Sequence, residues 1–367
     1  MKLIFTTVVS IITIILLATH YGFYKLTLVL FALGGTGAAN WYFWILMFLA
    51  ISFPLSNILV INRDNVFTRA YYYLSALWIG AFAYLLAGAV VAALLSIIFS
   101  VVGLPPFSPR WALAILALMM LVVIYAYRNA MIPRVKRVQV PISNLPDIWK
   151  QRRIVFVSDI HVGAILRRGF LQKVVNEINR LEPSLVLIGG DLFDGGGSKI
   201  SSLIEPINEL APELGIFMIT GNHETYIRQE IAVAAIKSTS IRLLRNEVVD
   251  IDGVQLVGID YPTPGRPNNP EELLKQLDRK KPTILMFHEP RRIGLFKKYG
   301  VNLHLAGHTH RGQIWPFNHL TKLVYKGLDY GLHTDGDFNL YCSCGVGTWG
   351  PPFRTMSRSE IVLLELN

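Results

Sequence analysis

Hydrophobic and polar positions divide this chain into two textures. As far as about residue 132 the apolar residues run in long blocks, and residues 3–19, 26–62, 70–109 and 111–127 contain no Asp, Glu, Lys or Arg. A helix needs about 20 apolar residues to cross the hydrocarbon layer of a bilayer. Four spans are therefore predicted, over roughly 3–23, 41–61, 74–101 and 111–130. A Gly-Gly-Thr-Gly break at 34–37 and Gly103-Leu104-Pro105-Pro106 separate them. The third span is long enough to require tilt or a protruding end. Trp and Tyr residues at 41–42, 71–73, 111 and 125–127 lie near the predicted ends, where interfacial anchors belong. Lys2 and the first run would suit a signal peptide, but no small-residue cleavage site follows Leu17, so an uncleaved helix is expected.

From about Val138 the texture changes. Short β-rich runs (Ile154–Ser158, Leu185–Ile188, Ile216–Thr220, Val254–Ile259, Thr283–Phe287, Val301–Leu305) alternate with helix-like stretches (Phe170–Leu181, Ile227–Lys237, Pro270–Gln276, Arg291–Lys298). That alternation predicts an α/β domain whose strands are buried by helices. The expected organisation is a four-helix transmembrane domain over 1–132, a basic linker and first strand over 133–150, and one α/β domain over 151–367.

Composition sharpens this picture. The chain is 52% hydrophobic and 16% charged, with a net charge of +10. Residues 1–132 hold six basic residues (Lys2, Lys25, Arg63, Arg69, Arg110, Arg128) and a single acid, Asp64. So apolar a segment excludes a simple soluble enzyme, and it excludes disorder, which needs low hydrophobicity and high charge. Cys342 and Cys344 are the only cysteines and are too close in sequence to bridge readily, which excludes a disulfide scaffold. With four spans, Lys2, Arg63, Arg69, Arg128, Arg134, Lys136 and Arg137 fall on one side, and Lys25 and Arg110 on the other. Positive charge accumulates on the cytoplasmic side, so the α/β domain of this multi-pass inner-membrane protein is expected in the cytoplasm.

The chemistry collects where the predicted strands end. One leads into Ser158-Asp159-Ile160-His161, a second into Gly190-Asp191-Leu192-Phe193-Asp194, and a third into Gly221-Asn222-His223-Glu224. Two more lead into His288-Glu289-Pro290 and Gly307-His308-Thr309-His310. A single Asp after a strand is usually a cap or turn former, and a single His is usually packed or solvated. Five such turns at strand carboxyl ends, where open α/β sheets bind ligands, point instead to a site. Asp-x-His and His-x-His would place two ligands on one side of an extended segment. Gly190, Gly221 and Gly307 would let the backbone turn sharply beside an ion. The set lacks thiolate, which suits Mn, Fe, Zn or Mg.

These blocks, D-x-H, G-D-x-x-D, G-N-H-[DE], a later lone His and G-H-x-H, resemble the calcineurin-like metallophosphoesterases, over about residue 150 to the end. Gly307-His308-Thr309-His310-Arg311-Gly312-Gln313-Ile314 and Gly347-Thr348-Trp349-Gly350-Pro351-Pro352 are similar to the YkuE/YaeI-like bacterial subgroup and its relatives with four N-terminal transmembrane helices. The resemblance implies a four-layer αββα sandwich with two divalent metals, manganese first among the candidates. It assigns one ion to Asp159, His161, Asp191 and His310, and the second to Asp191, Asn222, His288 and His308. It implies in-line attack on phosphorus by a hydroxide shared between the metals, with His223, oriented by Asp194, assisting the leaving group. Gly195-Gly196-Gly197 follow Asp194 where protein phosphatases of the superfamily carry a phosphate-binding Arg, which disfavours that activity. Arg311 stands where related enzymes more often have Gly, and it either contacts substrate phosphate or faces solvent.

The expected function is a membrane-bound, metal-dependent phosphoesterase acting on phosphodiester or pyrophosphate bonds of a phosphorylated small-molecule or lipid-linked substrate, including nucleotide-linked ones. A UDP-diacylglucosamine-type lipid pyrophosphohydrolase is one alternative, and a non-catalytic scaffold that binds a phosphorylated ligand is another. Trp315, Pro316, Phe317, Leu320, Leu323, Val324 and Tyr325, with Trp349, Pro351, Pro352 and Phe353, are expected to be ordinary core and loop packing or a greasy rim that admits an acyl chain. No nucleic-acid-reading motif is present, and nucleic acid is not an expected partner.

Overall fold

A computed structural model describes residues 2–195, 200–227, 229–263 and 269–367, so Gly196 and Gly197 of the glycine run lie outside the described residues. The chain divides into two compact units, Met1–Tyr127 with Gly350–Pro352, and Arg128–Trp349 with Phe353–Asn367.

The long apolar blocks form helices α1 (Lys2–Leu30), α2 (Gly37–Asn62), α3 (Val66–Val101) and α4 (Pro109–Met131). Each is long and apolar enough to cross a membrane. The third starts at Val66 rather than near 74 because Asn65 and Thr68 close a capping box, and Arg69 pairs with Asp64 at 2.9 Å. Its 36 residues extend about 54 Å at 1.5 Å per residue, against roughly 30 Å of hydrocarbon, so tilt or protrusion follows. Ser56 Oγ meets Ser75 Oγ at 2.6 Å, and Tyr73 meets Tyr127 at 2.6 Å, polar links between helices of the kind used in membranes.

Helix α1 continues to Leu30 and leaves His20 buried well inside it. Its ring stacks on Phe82 with centroids 3.6 Å apart. Nδ1 lies 2.8 Å from the Leu16 carbonyl, and Nε2 accepts from Trp78 Nε1 at 3.0 Å. Both nitrogens are engaged, so this histidine joins helices.

The second unit is built on two six-stranded sheets. The first contains, in chain order, β1 (Arg134–Val140), β2 (Ile154–Val157), β4 (Leu185–Ile188), β6 (Ile216–Met218), β7 (Ile241–Leu243) and β14 (Glu360–Leu366). Between them the short β3 (Val162–Gly163) and β5 (Phe193–Asp194) pair with each other alone. The second sheet contains β8 (Glu247–Ile251), β9 (Val254–Gly258), β10 (Thr283–Met286), β11 (Leu303–Ala306), β12 (Gly331–Asp335) and β13 (Phe338–Cys342). Spatial order is β1-β14-β2-β4-β6-β7 in one and β12-β13-β11-β10-β9-β8 in the other.

Residue alternation assigns the layers. Val155 and Val157 of β2 join a core shared with the helices Arg168–Arg180, Ile200–Ile204 and Gln229–Ile236. Ile154 and Phe156, one step out of phase, join Ile284, Met286 and Leu305 between the sheets. Leu285 of β10 faces away, onto the helices Pro270–Leu274 and Ile293–Lys298. The architecture is therefore a four-layer αββα sandwich whose inner strands β2, β4, β10 and β11 are buried along their whole length, which is why they read as apolar runs. The strand expected at Val301–Leu305 is shifted to Leu303–Ala306, since Val301 packs into the helix-side core after the turn at Gly300. The apolar stretch after residue 314 is not ordinary core. It forms the helix Phe317–Val324, in which no residue is buried.

Candidate metal centre

The strand ends converge. Ligand atoms of Asp159, His161 and His310 lie within 4.8 Å of one another, as do those of Asp191, His288 and His308. Asp191 Oδ2 stands between these groups, 3.1 Å from His288 Nε2 and 3.9 Å from His161 Nε2, and Asp159 Oδ1 is 3.9 Å from each of the same two nitrogens. Asn222 Oδ1 lies 2.8 Å from His308 Nδ1, which adds the amide to the second group. All seven residues assigned to ions by resemblance are thus brought together.

The backbone that delivers them is not the extended segment expected from the alternating spacing. Asp159, His161, Asp191, His308 and His310 all have left-handed φ, between 48° and 70°. Non-glycine residues rarely adopt this conformation, and where they do the surrounding structure imposes it, often at functional sites. Turns rather than pleats aim these side chains inward. The glycines also differ from expectation. Only Gly190 turns left-handed (φ 95°). Gly221 and Gly307 are required for space, because a Cβ would come within 2.2 Å of Asp191 Oδ1 and of Asp159 Oδ2 respectively.

The centre fits a cation on three grounds. Asp159 and Asp191 are buried carboxylates, and burying charge without compensation is costly. His161 Nδ1 and His288 Nε2 are buried without a hydrogen-bond partner, the latter near Asp191 but poorly aligned. The imidazoles are also set to offer lone pairs. Burial holds His161 below its ordinary value, with nearby carboxylates opposing. Burial and then His161 hold His310 well below it, and burial and then His288 lower His308. His288 is the exception: burial lowers it, but Asp191 reverses the sign and pushes it up to about 10. Burial would raise Asp191, but His288 and the other imidazoles outweigh it and hold that carboxyl well below the usual range.

His223 stands at the edge of this cluster, its ring centroid 4.5 Å from that of His161 and its Nδ1 3.4 Å from Asp194 Oδ1. Arg311 is half-buried, with its guanidinium 4.5 Å above the Tyr330 ring. Tyr330 in turn donates to Glu360 at 3.1 Å.

Two residues escaped the sequence reading. Glu224 is fully buried, and its Oε2 accepts the N–H groups of Gly221 at 2.7 Å and Asp191 at 3.0 Å. Its Oε1 accepts those of Leu192 at 2.8 Å and Phe193 at 3.3 Å. Burial and then Asp191 push its carboxyl up to about 7. Four N–H donors and no acceptor, however, make a nest shaped for the ionised form. The last letter of G-N-H-[DE] was the available signal. Glu224→Gln would turn an NH2 toward two of these donors whichever way the amide lies. Each orphaned donor costs about 1–3 kcal/mol, and thermal unfolding is expected to show that loss. Arg354, also fully buried, has a guanidinium nitrogen 3.2 Å from His310 Nδ1 and donates to Ser357 Oγ at 2.9 Å. It braces a ligand from behind, and only its place just beyond Gly347–Pro352 hinted at it.

A family model described as calcineurin-like phosphoesterase matches residues 152–312. A metallophosphoesterase of Campylobacter jejuni is 34% identical over 261 residues, covering 69% of this chain and 69% of that protein. The chain belongs to the calcineurin-like phosphoesterase family. A metallophosphoesterase of Helicobacter pylori is 37% identical over 246 residues, and the match covers 65% of each, so the chain spans about two thirds of that relative's length. A zebrafish (Danio rerio) transmembrane protein with metallophosphoesterase domain is 32% identical over 273 residues, covering 69% of this chain and 62% of that protein. Members of the calcineurin-like family use divalent metal ions, and the His/Asp cluster here has the makeup to hold them.

Proposed function

We propose that this chain is a membrane-anchored phosphoesterase that holds two divalent cations and hydrolyses phosphodiester or pyrophosphate bonds of a lipid-linked or nucleotide-linked substrate. The observation that carries this reading is a pair of ligand clusters sharing Asp191, in a chain with four helices long enough to cross a bilayer. Asp159, His161, Asp191 and His310 would hold one cation, and Asp191, Asn222, His288 and His308 the other. Manganese is the leading candidate, with iron, zinc and magnesium as alternatives. Such ions, when bound, supply Lewis acidity that neutralises phosphate oxygens and makes water more acidic.

The chain's own groups supply the rest. Asp194 holds the Nδ1 side of His223, leaving Nε2 to face substrate and give its proton to the departing oxygen. Arg311, supported on Tyr330, is the candidate contact for a non-bridging phosphate oxygen. Seven basic residues against two support a cytoplasmic location for this domain. The test is hydrolysis of bis-p-nitrophenyl phosphate by the full chain in detergent. Turnover is expected to vanish on chelation and to return with Mn²⁺. A wild-type protein that turns over no phosphate ester in any metal overturns the reading.

A further inference from the structure

We propose that the helix Phe317–Val324 docks on the bilayer, with its apolar face resting at the boundary between headgroups and acyl chains. The proposal rests on the membrane-anchored reading above and adds how the catalytic unit meets its substrate. This helix is set into the domain inside out. At 100° per residue, Phe317, Leu320, Leu323 and Val324 share one arc of about 120°. These four are 57%, 55%, 76% and 53% exposed, and Trp315 just before them is 49% exposed. Of the polar positions, Asn318 and Thr321 face the protein, while His319 and Lys322 are exposed. Thr321 donates to Asp329 Oδ2 at 3.3 Å, and the backbone of Asn318 packs so closely on Gly312 that a Cβ there would come within 2.3 Å of the Asn318 nitrogen. A helix meant for water buries its apolar stripe, and this one presents it outward.

Three observations select lipid as the occupant. The first strand of the catalytic unit begins at Arg134, and the last membrane-length helix ends at Met131, so only Ile132 and Pro133 separate this unit from a bilayer-crossing segment. Residues 311–328 contain Arg311, Lys322 and Lys326 and no Asp or Glu, a charge pattern that complements anionic headgroups. Trp beside Leu, Phe and Lys is the composition of helices lying in the interface plane. The helix follows His310 through the turn Arg311–Pro316, so docking keeps the last ligands of the centre within six residues of the bilayer surface. The substrate class that follows is a phosphoester resident in the bilayer.

The experiment uses the full chain in nanodiscs of equimolar phosphatidylcholine and phosphatidylglycerol, with spin labels on Leu320→Cys, Leu323→Cys, His319→Cys and Lys322→Cys in separate variants. Cys342 and Cys344 are buried and do not compete for label. Collisions with dioxygen, which concentrates in lipid, are compared with those of a water-soluble nickel chelate. Labels at 320 and 323 are expected to favour dioxygen, and labels at 319 and 322 the chelate. If the label at 323 meets the chelate as freely as the label at 319, the face is in water and the proposal is wrong. If it is shielded from both reagents, a second copy or a protein partner covers it, and the proposal is equally wrong. This readout needs no turnover, so it fails or succeeds independently of the hydrolase reading.

Discussion

Asp191→Ala is expected to lose bound metal and turnover together. Asp191 Oδ2 lies between His161 and His288, while its Oδ1 accepts the N–H of His223 at 2.8 Å. No other side chain in the cluster faces both groups of ligands while also bonding to the backbone of the G-N-H-E turn. Its removal should therefore exceed the roughly 10²–10³-fold loss that follows removal of one charge-stabilising group. Elemental analysis after reloading with Mn²⁺ measures the ion content, and bis-p-nitrophenyl phosphate measures the rate. A variant that keeps its full metal content and wild-type turnover would show that Asp191 is not the shared ligand.

His223→Ala should behave differently, keeping its metal while turnover falls roughly 10²–10⁴-fold, the usual worth of a positioned proton donor. The contrast with Asp191→Ala separates a proton donor from a ligand. Asp194→Asn gives a finer check through pH. Burial lowers His223, but the hydrogen bond to Asp194, the charge of Asp191 and then that of Asp194 together more than offset it, so the ring keeps its proton to higher pH than free imidazole does. A donor works only while protonated, so activity is lost as pH rises through its pKa. Removing the carboxylate lowers that pKa, and the basic limb of the profile should move to lower pH. A limb that stays in place or moves upward contradicts the assignment of His223 as donor.

Much of the candidate site is legible in the sequence because ligand chemistry is local. Asp159, His161, Asp191, Asn222, His288, His308 and His310 each follow a predicted strand, and the strands of two packed sheets bring those ends together. The route was misread where local pattern admitted two conformations. A D-x-H spacing fits a pleat, yet Asp159 and His161 sit at left-handed φ, in a turn where Gly307 and Gly345 lie so close to Asp159 that a Cβ on either would collide with its side chain. Gly221 illustrates the same limit, since its role is to make room for Asp191 Oδ1, a neighbour distant in sequence.

Binary pattern and composition by themselves determined the four long apolar helices, the covered α/β strands and the thiolate-free ligand inventory, because transfer from water and metal preference depend on residue type. Tertiary structure alone decided the rest. It showed that Asp191 stands between both ligand groups, that Glu224 gathers four backbone N–H groups, that Arg354 backs His310, and that Phe317–Val324 turns its apolar face outward. Each of these depends on which distant segments touch and which face is covered. Amphipathic periodicity reveals that a helix has an apolar side, but only packing reveals what lies against it.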